Sequence, residues 1–449
     1  MPLTVLTDAD VQAVLHSLTR EDILDLQQSL ADALHYYSTS DERNGCCSSY
    51  QPLRTSLKRQ DGNTTLFMPA SSQDGMGMKV VTLQAPDQSI EPSLGRLSLS
   101  STRGSHSPRA SVSTLSSSSI VIGSGSPSIS GSSKSTTPRG SLTLFDQSGT
   151  PSAIINAEEL TAFRTALASC ALLKKRHSVH DVAVFGAGKQ AYWHIRIALL
   201  LRGSEIHHVN VINRSFDRAR EMLIRLYHPR PEDPEYENPI GEKYGSKTKI
   251  AILTPAHGEY TRLLKEYVRG ANVIFCTTPS TEPLFPASYL TNPEGRKKGR
   301  YIACIGSYKP HMIELHPDIL KQAVAPHHEH RHFHRRQREG GAVVVDSVEA
   351  CLQEAGEIIQ AKLHPEEVVE LGELVMLRKE AMARAKEGKS VDNDKAGVQV
   401  QESTGLYQWL TKGNVIYKSV GLGLMDVVVG SELVRIARER GIGTTIEEF

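Results

Sequence analysis

A chain of 449 residues, 39% of them hydrophobic and 22% charged, is long enough for two ordinary domains and too apolar to be disordered throughout. Its 51 basic and 50 acidic side chains leave a formal charge of +1, which excludes the broad positive field of a dedicated nucleic-acid or membrane-surface binder. No apolar run reaches the roughly 18 residues that cross a bilayer, no signal-type apolar centre opens the chain, and the six cysteines form no Cys-x-x-Cys pair; the expectation is a soluble cytoplasmic protein without a structural metal.

Residues 1–38 read as two helices. Thr7 or Asp8 caps a run carrying Val11, Val14, Leu15 and Leu18; Thr19 caps a second with Ile23, Leu26, Leu30 and Leu34 on helical spacing. The vicinal Cys46 and Cys47 that follow read as part of a loop. Strand-like pieces come next, around Thr65–Met68 and in Met78-Lys-Val-Val-Thr-Leu83. Residues 88–140 are dominated by serine, with glycine, proline and threonine. So little apolar surface cannot offset the entropy of ordering, so a disordered insert is predicted. Irregular stretches are also expected at 228–247, 326–340 and 387–403. The second holds His327, His328, His330, His332 and His334, but the arginines between them repel a cation, so it reads as a solvated loop.

Between 180 and 285 strands and helices alternate, which predicts a doubly wound parallel sheet. The run His180-Asp-Val-Ala-Val-Phe185 leads directly into Gly186-Ala187-Gly188-Lys189-Gln190-Ala191 and then into a helical segment. Strand, glycine turn and helix together make a dinucleotide fingerprint, with the helix N-terminus offering free N–H groups to phosphates. The second strand ends at Asn213-Arg214-Ser215, where an NAD site commonly carries an acid for the ribose hydroxyl. With no carboxylate there, and with Arg214 and Ser215 able to meet a 2′-phosphate, NADP(H) is the expected preference and NAD(H) the alternative. Thr277 and Thr278 close the strand at 271–276, and Gly306 closes the one at 300–305. Both are positions at which such sheets bind their ligand.

Taken together, Leu144-Phe-Asp-Gln-Ser-Gly-Thr-Pro, Leu160-Thr-Ala-Phe-Arg164-Thr165, the glycine turn, Thr277-Thr-Pro-Ser, Val345-Asp346-Ser, Glu354-Ala-Gly-Glu357 and Lys418-Ser-Val-Gly421-Leu-Gly-Leu-Met-Asp426 resemble the ornithine cyclodeaminase/mu-crystallin family. The details look similar to those of its fungal members. The resemblance implies a homodimer with a discontinuous α+β substrate and dimerisation domain at 1–164 (insert included) and 414–449, and a Rossmann domain at 165–413. It also implies that Arg54, Lys79 and Arg164, with Thr165 beside the last, bind an amino-acid or imino-acid carboxylate, a role that suits an arginine fork and a lysine point charge. The nicotinamide is expected near Thr277, Thr278 and Gly421.

One departure bears on the reaction. Cyclodeaminases of the family have Gly-x-Asp-x-Pro-Gly after the strand at 300–305, whereas this chain has Gly306-Ser-Tyr308-Lys-Pro-His311. A tyrosine, with an ordinary pKa near 10, does not replace a carboxylate base at neutral pH. Reduction of the C=N bond of a cyclic ketimine or imino acid needs no such base. It is the expected activity, with Lys79 and Tyr308 as candidate proton-handling or positioning groups. The alternatives are an ornithine cyclodeaminase, an amino-acid dehydrogenase running oxidatively, and a non-catalytic dinucleotide sensor.

Overall fold

The computed structural model describes residues 2–39, 51–73, 75–83, 138–230, 236–240, 247–325, 342–375 and 408–449. The chain begins with β1 (Leu3–Leu6), α1 (Asp8–His16) and α2 (Arg20–Thr39). Both helices start as their sequences dictate. Thr7 and Asp10 make a reciprocal capping box, and Thr19 and Asp22 exchange the same pair of bonds.

Four strands follow: β2 (Thr55–Lys58), β3 (Thr64–Ser71), β4 (Met76–Leu83) and β5 (Arg139–Phe145), and then β6 (Pro151–Asn156) leads into α3 (Ala157–Ser169). In β4 buried and less buried residues alternate, the pattern of a sheet with one covered face. These strands form an antiparallel meander in the order β6-β5-β4-β3-β2. β1 joins β6 in parallel, and β15 (Thr444–Ile446) closes the other side antiparallel to β1. The serine-rich stretch at 88–140 lies outside the described residues except for its last three, of which Arg139 and Gly140 already belong to β5. Cys46, Cys47, the histidine run and residues 387–403 are also outside them.

The second sheet is wholly parallel. It contains β7 (Asp181–Phe185), β8 (His208–Ile212), β9 (Lys249–Leu253), β10 (Val273–Cys276), β11 (Tyr301–Cys304), β12 (Val343–Val345), β13 (Val368–Glu370) and β14 (Val415–Lys418). The spatial order is β13-β12-β14-β11-β10-β7-β8-β9. Its portion β9-β8-β7-β10-β11-β14 is the Rossmann order, with β12 and β13 added beyond the sixth position. β10, β11, β12 and β14 are buried along their whole length, as strands covered on both faces must be. The covering helices include α4 (Lys189–Arg202), α5 (Phe216–Tyr227), α6 (Tyr260–Gly270), α7 (Pro317–Val324), α8 (Val348–Glu354) and α9 (Gly356–Ala361).

The C-terminal helix α10 (Gly423–Glu439) packs on α2, α3 and the meander. The expected return of the chain at residue 414 needs correction. Val415–Lys418 is an internal strand of the parallel sheet, paired with both β11 and β12. The crossing to the meander side comes after Lys418, through a turn at Gly421 with φ +92°. A continuous apolar core joins the two sheets, with Phe163 of α3 edge-on to Trp193 of α4.

Candidate active site

The switch point of the parallel sheet lies between β7 and β10, where connections leave in opposite directions and open a crevice. Gly186 follows β7 with φ +111°, and a Cβ there would sit 2.7 Å from Thr277 Oγ1, so only glycine fits. Thr277 is itself fixed, its hydroxyl donating to the Phe185 carbonyl at 2.7 Å. Gly188 caps α4 without a side-chain partner and has open space before it, while Ala191 is fully buried. The first turn of α4 carries no acid. Free N–H groups, the positive end of the helix and a side-chain-free approach suit a pyrophosphate. Lys189 points elsewhere: its ammonium pairs with Glu158 at 2.7 Å and Glu159 at 3.1 Å on α3. Gln190 has a buried side-chain oxygen without a hydrogen-bond partner among the described residues. At the end of β8, the Asn213 amide donates to the Ser215 carbonyl at 2.7 Å, and Ser215 caps α5 through its hydroxyl. Arg214 is exposed there.

Below the carboxyl ends of β10 and β11 lies a buried ionic cluster. Glu314 accepts from the backbone N–H of Thr278 at 2.7 Å and of Gly306 at 2.8 Å. Gly306 must lack a side chain, since a Cβ would lie 2.2 Å from the Thr278 carbonyl oxygen. Glu357 accepts from the Ser307 hydroxyl and from the Glu314 backbone N–H at 2.8 Å. Lys418, at the end of β14, donates to Ser307 Oγ at 2.5 Å and lies 3.3 Å from Glu357. Burial, reinforced by Glu357 and opposed by Lys418, pushes the Glu314 carboxyl up to about 7. Burial opposes the charge on Lys418 too, but Glu357 and Glu314 outweigh it and raise its pKa.

A second buried cluster sits on the meander side. Lys79, on β4, donates to Asp426 Oδ1 at 2.9 Å, and Arg164 Nε donates to the same oxygen at 3.0 Å. Lys79 and Asp426 are 2% and 0% exposed, and Arg164 is 4% exposed. Burial drives the Lys79 pKa down to about 8, with Asp426 opposing the shift and Arg164 adding to it. The Gly421 turn lies directly against Arg164, since a Cβ there would meet its Nη2 at 2.9 Å. Asp346 pins that turn, accepting from Ser419 Oγ and from the Gly421 N–H, both at 2.7 Å. Thr165 is spent within its helix, its hydroxyl bonded to the Thr161 carbonyl at 2.8 Å.

Arg54 and Tyr308 meet between the clusters. Arg54 Nε donates to Glu354 Oε1 at 2.9 Å, its Nη2 donates to Glu354 Oε2, and the same Nη2 reaches the Tyr308 carbonyl at 3.3 Å. Burial raises the pKa of the Tyr308 phenol further above its ordinary value, which removes it as a base. The structure thus brings Lys79, Arg164 and Gly421 into one group, Arg54 and Tyr308 into another, and Gly186, Thr277, Thr278 and Gly306 into the floor of the crevice. Sequence reasoning gave no role to Asp426, Asp346, Glu354, Glu357, Lys418 or Glu314. All but Glu314 lie in the motif segments that carry the family resemblance.

No family model matches the chain. It is 29% identical over 294 residues to an uncharacterised protein of Saccharomyces cerevisiae, covering 62% of this chain and 69% of that one. It is 25% identical over 402 residues to a Δ1-pyrroline-2-carboxylate reductase of Bacillus cereus, covering 88% and 89%, and 27% identical over 238 residues to the ketimine reductase mu-crystallin of Rattus norvegicus, covering 52% and 58%. In sequence the chain thus resembles members of the ornithine cyclodeaminase/mu-crystallin family. Among solved structures, Δ1-pyrroline-2-carboxylate reductase of Thermococcus litoralis, in complex with NADH and L-proline, shares the fold at TM-score 0.60 and 17% identity, with 99% of this chain and all of that one covered.

Proposed function

We propose that this protein is an NAD(P)H-dependent oxidoreductase that reduces the C=N bond of a cyclic ketimine or imino acid bearing a carboxylate. The observation that carries the reading is the Lys79–Arg164–Asp426 cluster. Two buried cations share one carboxylate, so a net positive charge is held where water is excluded, and an anionic substrate group relieves it. Named relatives are reductases of such imines. Arg54 completes the anion site from the crevice side.

Gly186, Gly188 and the α4 N-terminus would hold a dinucleotide, with Thr277, Thr278, Gly306 and Gly421 available to its nicotinamide end, and the group, when reduced, would supply a hydride equivalent. The chain's own residues orient the acceptor. Lys79 and Arg164 hold the carboxylate, and the Gly421 turn, free of a side chain, leaves room beside Arg164. The balance of the reaction is one hydride to the imine carbon and one proton to its nitrogen. Lys79, with its pKa near 8, is protonated at neutral pH and can lend that proton to an imine that arrives neutral. Tyr308 in place of the family aspartate disfavours cyclodeamination, which must take a proton from a substrate ammonium.

We further propose NADP(H) as the preferred cofactor, because β8 ends in the Asn213 amide and the exposed Arg214 rather than in a carboxylate. A homodimer is proposed from the open edge of the meander: β2 is exposed along its length, with Leu53 and Leu57 exposed there. The test of the function is loss of reduced-nicotinamide absorbance in the presence of cyclic imino acids, with ornithine run alongside. Imine-dependent consumption of NADPH is expected. Proline formed from ornithine without net cofactor use identifies a cyclodeaminase instead, and nucleotide binding without any turnover identifies a sensor.

A further inference from the structure

A guanidinium has two edges that can grip a carboxylate: the side edge of Nε and Nη2, and the end edge of Nη1 and Nη2. In Arg54 the side edge is taken, because Nε and Nη2 both donate to Glu354. The end edge is met only at 3.3 Å, by the Tyr308 carbonyl, and among the described residues no acceptor meets Nη1. Arg54 precedes β2 of the meander, whereas Glu354 ends α8 against the parallel sheet, so the pair spans the cleft. The two side chains are 17% and 27% exposed, unlike the sealed Asp426, so a ligand entering the cleft reaches them. Arg54 also lies within electrostatic range of Arg164 and of Lys79. Left alone, a long arginine side chain beside two other cations is pushed away from them and toward solvent.

We infer that Glu354 is a positioning residue for the proposed substrate site: it holds Arg54 by its side edge, so that the end edge is turned to the substrate carboxylate alongside Lys79 and Arg164. Glu354 does two things at once. It offsets the repulsion among the three cations, and it fixes the guanidinium plane, which a flexible side chain otherwise loses rotamer entropy to achieve. The inference rests on the imine-reductase reading, since it takes a cyclic carboxylate as the ligand.

The probe is L-proline, a stable cyclic amino acid with the carboxylate in place, titrated by calorimetry into the full-length protein saturated with reduced nucleotide. L-Prolinamide, which lacks the carboxylate charge, serves as its control. Glu354→Gln is expected to weaken L-proline binding tenfold or more and to leave the weak prolinamide binding and the nucleotide affinity unchanged. Glu354→Asp, which keeps the charge on a shorter arm, is expected to recover part of the loss. In imine turnover the same variants are expected to raise KM more than they lower kcat. Tighter L-proline binding in Glu354→Gln makes Glu354 a competitor for Arg54 and overturns the inference. Unchanged binding overturns it also, as does an equal loss for proline and prolinamide. If the wild-type protein binds nucleotide but not L-proline, the reductase reading falls and takes this inference with it; the other negative outcomes leave that reading standing.

Discussion

Two buried ionic clusters flank the cleft, and their compositions are mirror images. On the meander side Lys79 and Arg164 share one acid, Asp426, for a formal charge of +1. Under the ends of β10, β11 and β14, Glu314 and Glu357 share one base, Lys418, for a formal charge of −1. Burial penalises each surplus, pulling Lys79 down to about 8 and pushing Glu314 up to about 7. The difference lies in how the surplus is met. Around Glu314 and Glu357, backbone N–H groups of Thr278, Gly306, Ser307 and Glu314 meet most of the acceptors, and Glu357 Oε2, without a hydrogen bond among the described residues, lies 3.3 Å from Lys418. Among the described residues, Lys79 and Arg164 make their ion pairs with Asp426 alone. On the proposed reading a ligand completes that cluster, which would put binding on one side and support on the other.

The contrast breaks most severely at Asp426. Asp426→Asn leaves two buried cations facing each other without their counter-charge, and the expected loss of stability is about 3–5 kcal/mol, read from denaturant midpoints. A loss below about 1 kcal/mol contradicts the buried triad. Lys79→Met tests the binding role. It removes the surplus charge, so folding is expected to be retained or improved, while kcat/KM for a carboxylated imine falls by roughly a hundredfold or more. Retained kcat/KM removes Lys79 from the site.

The pH dependence sharpens the same point. Lys79 carries its proton below about 8, so affinity for a substrate carboxylate is expected to fall as pH rises through that value. Its folded-state pKa lies below the ordinary lysine value of 10.5, so the unfolded chain binds the proton more tightly. Its contribution to stability therefore rises with pH between about 8 and 10.5, opposite to the trend in binding. A break in the kcat/KM profile near a pH of about 8 is expected in wild type and absent from a Lys79 variant; a wild-type profile without it contradicts this assignment. The smallest expected effect lies at the cofactor end. Asn213→Asp is expected to shift preference toward NAD(H) by about tenfold, since an acid accepts from the ribose hydroxyl and repels a 2′-phosphate; unchanged preference sinks the NADP(H) proposal.

Much of this was legible in the sequence because it is local. The Thr7 and Thr19 caps, the apolar runs of the parallel strands and the glycine turn after Phe185 each declare themselves within a few residues. Lys79 and Arg164 stood out as charges inside apolar segments. Their partner did not, because Asp426 meets Lys79 across 347 residues of chain, and nothing local marks it as the shared acid. Glu354 and Arg54 are 300 residues apart. The place of β14 was misjudged for a related reason. Val415–Lys418 is apolar enough for either sheet, and only its pairing with β11 and β12 decides. Lys189 belongs to the fingerprint by position, yet its long side chain turns to Glu158 and Glu159, which spacing alone does not reveal.

The most direct test of the central claim follows the hydride itself. NADPH carrying deuterium at the transferable C4 position is incubated with the protein and a cyclic imino acid, and the product is analysed by mass spectrometry and NMR. The account predicts one deuterium on the carbon that bore the double bond, next to the carboxylate, with one nucleotide oxidised per product formed. Product without deuterium, or ornithine converted to proline with the labelled nucleotide unconsumed, contradicts it.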